Sequence, residues 1–189
     1  MIAMQSASTP RRALAPLALV LASALGACVA PDVGDPYDST GYLPGAGLDA
    51  VQPADIAVAP VALRLEEEVP VPVDDLRQAL YAGLVDRLYS PLALDYVDDG
   101  GAPDAVLEVT VLGWDTSQLA YDGTLVARAE AAMVRGDEVL WAVELTRRLN
   151  DDVGGTQRSD PAASQARSVV ELAAEVLALL PERDPLVAR

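Results

Sequence analysis

The chain has 189 residues, 29 acidic against 13 basic, with no histidine and one cysteine. All basic residues are arginine, so lysine is missing as well as histidine. This removes histidine acid–base chemistry, histidine metal sites, Schiff bases and the phosphate-loop lysine. A formal net charge of −16 also argues against nucleic acid, whose backbone requires a basic face.

The N-terminus has the layout of an export signal. Arg11 and Arg12 precede an uncharged apolar run from Ala13 to Leu25, then small residues and the cysteine. The run is shorter than the roughly 20 residues a membrane-spanning helix needs. Leu25-Gly26-Ala27-Cys28 resembles the lipobox of bacterial lipoproteins. The resemblance implies cleavage before Cys28 and acylation of its thiol, which leaves no thiol for a disulfide. Val29 stands where an aspartate would resemble an inner-membrane retention signal. The implied location is therefore the outer membrane, facing the periplasm. Residues 1–27 carry two arginines and no acid, so the 162 that follow carry −18. Such a surface keeps the domain soluble and favours basic partners.

Residues 28–53 are dense in proline and glycine and read as a flexible tether. Residues 54–180 have the size of one domain, and 181–189 form a polar tail. Within the domain, 55–65 reads as a strand with Pro60 late or at an edge. Residues 73–90 read as a helix, capped by Asp74 or Asp75, with Leu76, Leu80, Leu84 and Leu88 as its apolar stripe. Pro91 stops it. A short strand is expected over 92–97.

Three longer strands alternate with period two. The first, 105–114, places Leu107, Val109 and Val111 on one face. The second, 124–134, does so with Leu125, Ala127, Ala129, Ala131 and Met133. The third, 138–149, does so with Val139, Trp141, Val143 and Leu145. One buried side of an antiparallel meander is implied. A three-residue turn, Arg135 to Asp137, would set Ala131 opposite Trp141 and Arg128 opposite Glu144. A last helix over 161–180 has Asp160 at its N-cap and Pro161 at its first position. Its expected buried face is Ala163, Ala166, Val169, Val170, Ala173, Val176, Leu177 and Leu180. The order β-α-β-β-β-β-α predicts an α+β two-layer sandwich: a mixed, mostly antiparallel sheet covered on one face by two helices.

Asp55-Ile56-Ala57-Val58-Ala59-Pro60 before a long helix resembles the opening of a periplasmic lipoprotein superfamily. That superfamily includes the curli-secretion lipoprotein, the penicillin-binding-protein activator lipoprotein and a neisserial conserved-antigen lipoprotein family. Residues 104–114 and Gly136-Asp137-Glu138-Val139-Leu140-Trp141 are similar to the last family's strand patterns. The resemblance implies a lipid-anchored, non-catalytic binding or adaptor domain for an envelope assembly or secretion machine, with an envelope protein as partner. A rival resemblance is the lipopolysaccharide-assembly lipoprotein, which binds lipid or an outer-membrane barrel. Gripping lipid phosphates wants a basic cluster, and Arg147-Arg148 is the only close basic pair of the domain.

The chain offers acidic pairs at Asp74-Asp75, Asp98-Asp99 and Asp151-Asp152. A carboxylate pair can run a glycosidase, but aspartate in turns and caps explains them as well. The last two pairs are calcium candidates without the ligand spacing of a calcium loop. No catalytic residue, cofactor or metal site is assigned. Between Trp114 and Thr124 the polar stretch is interrupted by Leu119 and Tyr121. In a loop these two form a candidate partner contact, since exposed tyrosine often carries binding energy. If pairing begins near Gln118, their parity with Leu125 turns both into the core instead.

Overall fold

The computed structural model describes residues 37–43, 53, 55–94, 103–150 and 160–181. Cys28 and the pairs Asp98-Asp99 and Asp151-Asp152 lie outside them. Three long strands dominate: β5 (Ala105–Asp115), β6 (Leu125–Arg135) and β7 (Glu138–Leu149). They form an antiparallel meander, as their alternation predicts. Leu107, Val109, Val111, Ala127, Ala129, Ala131, Val143 and Leu145 are all buried on one face. The other elements are β1 (Ser39–Leu43), β2 (Asp55–Val58), β3 (Ala62–Leu63), α1 (Val73–Asp86), β4 (Ser90–Pro91) and α2 (Pro161–Leu179). The sheet order is β1-β7-β6-β5-β2-β4, with β3 pairing β5. It is a mixed, unclosed α+β sandwich of seven strands and two helices among the described residues.

Local chemistry explains where the strands depart from expectation. Residues 55–65 are not one strand. Val58 faces Leu107 and Ala62 faces Thr110, so three residues oppose two. Pro60 sits in this bulge, where its missing N–H costs no ladder bond. Of the strand expected over 92–97, residues 95–97 lie outside the described ones and 92–94 are not strand; the two-residue β4, just before them, runs parallel to β2. Ser39–Leu43, read as tether, pairs antiparallel with β7 and extends the sheet.

The β6–β7 turn has two residues, not three: Arg135 faces Glu138 across Gly136 and Asp137. Gly136 has φ 57°, which glycine adopts without steric cost. A bulge follows, since Val134 faces Val139 but Met133 faces Trp141. Together these displace the expected pairing by two, so Ala131 faces Val143 and Arg128 faces Thr146. An even shift keeps every side chain beyond the bulge on its face. Arg128 and Glu144 thus share the open face and bond diagonally, Nε to Oε1 at 2.7 Å. Val139, inside the bulged stretch, is exposed rather than buried, while Leu140 is fully buried. A second bulge, between Val111 and Gly113, turns Trp114 to the helix face, where it is buried.

The helices cover that face and run parallel: the contacts Pro70–Gln165, Gly83–Leu177 and Arg87–Leu180 advance together. Leu76, Leu80 and Leu84 are buried, but Leu88 is 53 % exposed. The helix has already ended there. Leu88 takes φ 64°, Tyr89 N–H donates to the Leu84 carbonyl and Leu88 N–H to that of Val85. This is a Schellman cap with leucine where glycine is usual. No side chain caps the other end, where Pro72 is the N-cap; Asp74 and Asp75 lie in the first turn and oppose the helix dipole's positive end. In α2 the Asp160 side chain does cap, accepting from Ala162 N–H at 3.1 Å. Its buried face is rotated from the expected one. Ser164, Ser168 and Leu172 join Val169, Ala173, Val176 and Leu177, while Ala163, Ala166 and Val170 face outward.

Candidate functional site

No cluster of acids able to hold a metal occurs among the described residues. A shallow groove of about 280 Å³ lies between the N-terminal ends of the helices, lined by Pro70, Val71, Pro72 and Asp75 on one side and Ala162, Gln165 and Ala166 on the other. Asp75 is its one ionisable side chain. The indole N–H groups of Trp114 and Trp141 are buried without a hydrogen-bond partner. They face Ala127 and Met133, six residues apart along β6 and so about 20 Å, and cannot form one site.

The functional-looking chemistry gathers instead at one pole, where the chain enters the sheet. Arg147 is 13 % exposed at its side chain and is tied on every side. It pairs with Asp38 at 2.6 Å and Glu175 at 2.8 Å, and donates to the Ser39 carbonyl at 2.9 Å and to Thr40 Oγ1 at 2.6 Å. All five residues of β1 are exposed, so this knot, with the ladder to β7, holds the strand in place. The neighbouring Arg148, on the opposite face of β7, stands over the Tyr37 ring at 4.9 Å. The Arg147-Arg148 pair is therefore divided between two faces and engaged on both.

The β5–β6 connection folds back at the same pole. Asp115 accepts from Ser117 N–H, and Asp122 from the N–H and hydroxyl of Thr124. These donors, the backbone of Thr124 first, hold the Asp122 carboxyl below the ordinary aspartate range, and the Arg148 charge acts in the same direction. Leu119 N–H donates to the Thr116 carbonyl and Tyr121 N–H to that of Gln118. The segment is turned rather than extended, so parity with β6 does not hold across it. Leu119 goes into the core at 5 % exposure and Tyr121 points out at 79 %. The two candidate contact residues are thus separated.

Behind this turn lies a buried polar cluster that sequence reasoning missed. Asn150, at φ 63° and 5 % exposure, reaches the Gly123 carbonyl at 3.1 Å, the Ser164 carbonyl at 2.9 Å and Ser168 Oγ at 2.7 Å through its side-chain amide. Its backbone N–H donates to Glu171. One side chain thereby ties the β5–β6 turn and the end of β7 to α2. Asparagine tolerates left-handed backbone, a signal visible in Asn150-Asp151 only once the strand end is known.

No protein-family model matches the sequence, and no curated protein does. Similarity appears at the level of folds. A variant PelC dodecamer from Paraburkholderia phytofirmans has a chain 19% identical to this one, with a TM-score of 0.53, covering 77% of this chain and 99% of that one. A second PelC dodecamer structure from the same organism aligns at 17% identity and TM-score 0.45, over 71% and 95% of the two chains. Lipoprotein GNA1162 from Neisseria meningitidis aligns at 19% identity and TM-score 0.41, over 67% and 96%. The first of these alignments takes in nearly the whole PelC chain, and the protein has the same fold as that subunit.

Proposed function

We propose that this protein is a lipid-anchored, non-catalytic lipoprotein of the bacterial envelope, acting as a binding or adaptor subunit for an assembly or secretion machine at the outer membrane. The observation that carries the reading is a combination. A lipidation signal at Cys28 joins, through a short tether, a domain with the fold of PelC. The PelC structure is a dodecamer, and by extension we read this chain as a subunit of a larger assembly of several copies. The polar groups described above serve packing and anchoring. Arg147 and Asn150 bond to their own fold rather than pointing into a cleft.

The lipopolysaccharide-binding alternative needs free cationic groups. Arg147 is committed to Asp38 and Glu175, and Arg148 to Tyr37, so the one basic pair does not offer a phosphate grip. The test is direct. Mass spectrometry of protein extracted from membranes of the native host should give an N-terminal acylated Cys28, in the outer-membrane fraction of a density gradient. Cys28→Ser should release the chain. An intact Met1, or an unmodified soluble protein, would sink the reading. Sedimentation of the detergent-extracted protein reports the assembly, and a strict monomer rules it out.

A further inference from the structure

We propose that the pole carrying Tyr121, Tyr37 and Arg148 is a membrane-contact surface, lying against the interfacial layer of the bilayer that holds the acyl chains of Cys28. This rests on the anchor reading of Cys28 and adds to it an orientation of the domain. Three elements bring the residues together. Arg148 faces Val126 near the start of β6, and the preceding turn is tied to the end of β7 by the Asn150 bond to Gly123. Tyr121 projects from that turn and is the most exposed of the large apolar side chains described. Tyr37 is 45 % exposed beneath Arg148, one residue before the Arg147 knot.

The length of the tether decides what this pole faces. Residues 29–36 are the only ones between Cys28 and Tyr37. Fully extended they reach about 28 Å, and as a relaxed coil about 16 Å. The Arg147 knot fixes where that tether meets the sheet, so the distance cannot be lengthened by peeling β1 away without breaking the Asp38–Arg147 ion pair and the hydrogen bonds to Ser39 and Thr40. The opposite pole, the hairpin at Gly136 and Asp137, lies ten residues farther along β7, about 33 Å away. Tyr121 is thus held within tether reach of the bilayer surface, and the hairpin points toward the periplasmic space.

The chemistry of the pole suits that position. Tyrosine and arginine present an apolar body with a polar tip and settle at membrane–water interfaces. Among the described residues, Asp115 and Asp122 accept from their own turns, and Asp38 is paired with Arg147. No charged residue occurs between Asp38 and Asp49. A net charge of −18 still repels an anionic leaflet. The contact is therefore one that the tether's high effective concentration makes, rather than one that recruits the protein.

Site-directed spin labelling tests this on the mature acylated chain. Cys28 is the one native cysteine and its thiol carries the lipid, so an engineered cysteine is labelled alone. Tyr121→Cys and Asp137→Cys place the nitroxide at the two poles, both on exposed positions that leave the core intact. In vesicles of phosphatidylethanolamine and phosphatidylglycerol, the label at 121 should be several-fold less accessible to a water-soluble nickel chelate than the label at 137, with oxygen accessibility rising in the opposite sense. Equal aqueous exposure of the two labels overturns the proposal. Protection of the 121 label only in native membranes, and not on pure lipid, overturns it in favour of a protein partner. An acylated chain that does not float with the vesicles removes the anchor reading and this inference with it, which separates that failure from the first.

Discussion

The two halves of the sheet are held together in different ways. The antiparallel half, β5 to β7, is built from ladders of about eleven residues joined by short connections, and each strand helps to stabilise its neighbour. The parallel half, β2, β3 and β4, consists of pieces of four, two and two residues. Such fragments have too few ladder bonds to stand alone, so side chains complete them. Arg77 of α1 donates through Nε and Nη2 to the Val58 carbonyl at 2.9 and 2.8 Å, and through Nη2 to that of Leu94 at 2.7 Å. One guanidinium, planar and forked, terminates β2 and fixes the return of the chain after β4. Local pairing can carry long strands, whereas short parallel strands depend on a long-range clamp.

The largest effect should follow from cutting that clamp. Arg77→Ala leaves the carbonyls of buried Val58 and half-buried Leu94 without their charged donor and should cost about 3 kcal/mol, read from guanidinium denaturation. Native-state hydrogen exchange sharpens the point: amides of β2 should lose protection before those of β6. Equal loss in both would mean that the halves unfold as one and that the contrast drawn above is not energetic. Arg77→Lys, with a single point donor, should recover less than half.

A comparable clamp serves the antiparallel half where its ladder ends. Asn150→Ala removes the bonds to Gly123, Ser164 and Ser168 and places a Cβ-bearing residue without side-chain compensation at φ 63°. The expected cost is about 2–3 kcal/mol. Asn150→Gly relieves the backbone but not the lost bonds, so it should fall between wild type and alanine. If glycine restored full stability, the cluster would matter only for its backbone.

The helix layer joins the halves, and two of its positions give smaller effects of opposite sign. A methyl at Gly83 would overlap the Leu177 side chain. Gly83→Ala should destabilise by about 1–2 kcal/mol, the cost of overpacking outweighing the helix propensity gained. Leu88→Gly should instead stabilise by about 0.5–1 kcal/mol, since it relieves a left-handed leucine whose side chain is half exposed. Thermal melts of the two variants should move in opposite directions.

Sequence reasoning reached the antiparallel half because its information is local. Alternation in 105–149 names the buried residues, and Asp160-Pro161 marks the start of α2. It failed where a single residue's backbone decides the outcome. Two bulges moved Trp114 and Val139 to faces that strict parity denies them, and Leu88 ended a helix whose leucine spacing continues. Alanine was the second difficulty. Ala163 and Ala166 fit an apolar face by composition yet are exposed, while Ser164 and Ser168 are buried because Asn150, in the preceding strand, supplies the polar partner. The pole was visible only in part. Tyr121 stood out as an aromatic in a polar stretch, but its company with Tyr37 and Arg148 depends on β1 pairing at the far edge of the sheet. Nothing in a run of proline and glycine announces such a pairing.

The smallest effect concerns the open face, where the displaced register creates an unfavourable pair. Glu130 lies directly opposite Glu144. Like charges across an antiparallel ladder repel. Two arginines offset this, Arg128 bonded to Glu144 and Arg64 4.0 Å from Glu130. All four groups are solvent-exposed to some degree, and an isolated surface pair is worth roughly 0.2–1 kcal/mol. Arg128→Ala should therefore sit at the upper end of that range, because it removes an attraction and unmasks a repulsion. Adding Glu144→Gln should restore most of the loss, a non-additivity that a double-mutant cycle measures directly. The loss should also shrink in 1 M salt, where screening acts over about 3 Å. A deficit in Arg128→Ala that is unchanged by salt and by Glu144→Gln would show that its aliphatic stem on the sheet matters more than its charge, and that the two glutamates are kept apart by their own rotamers.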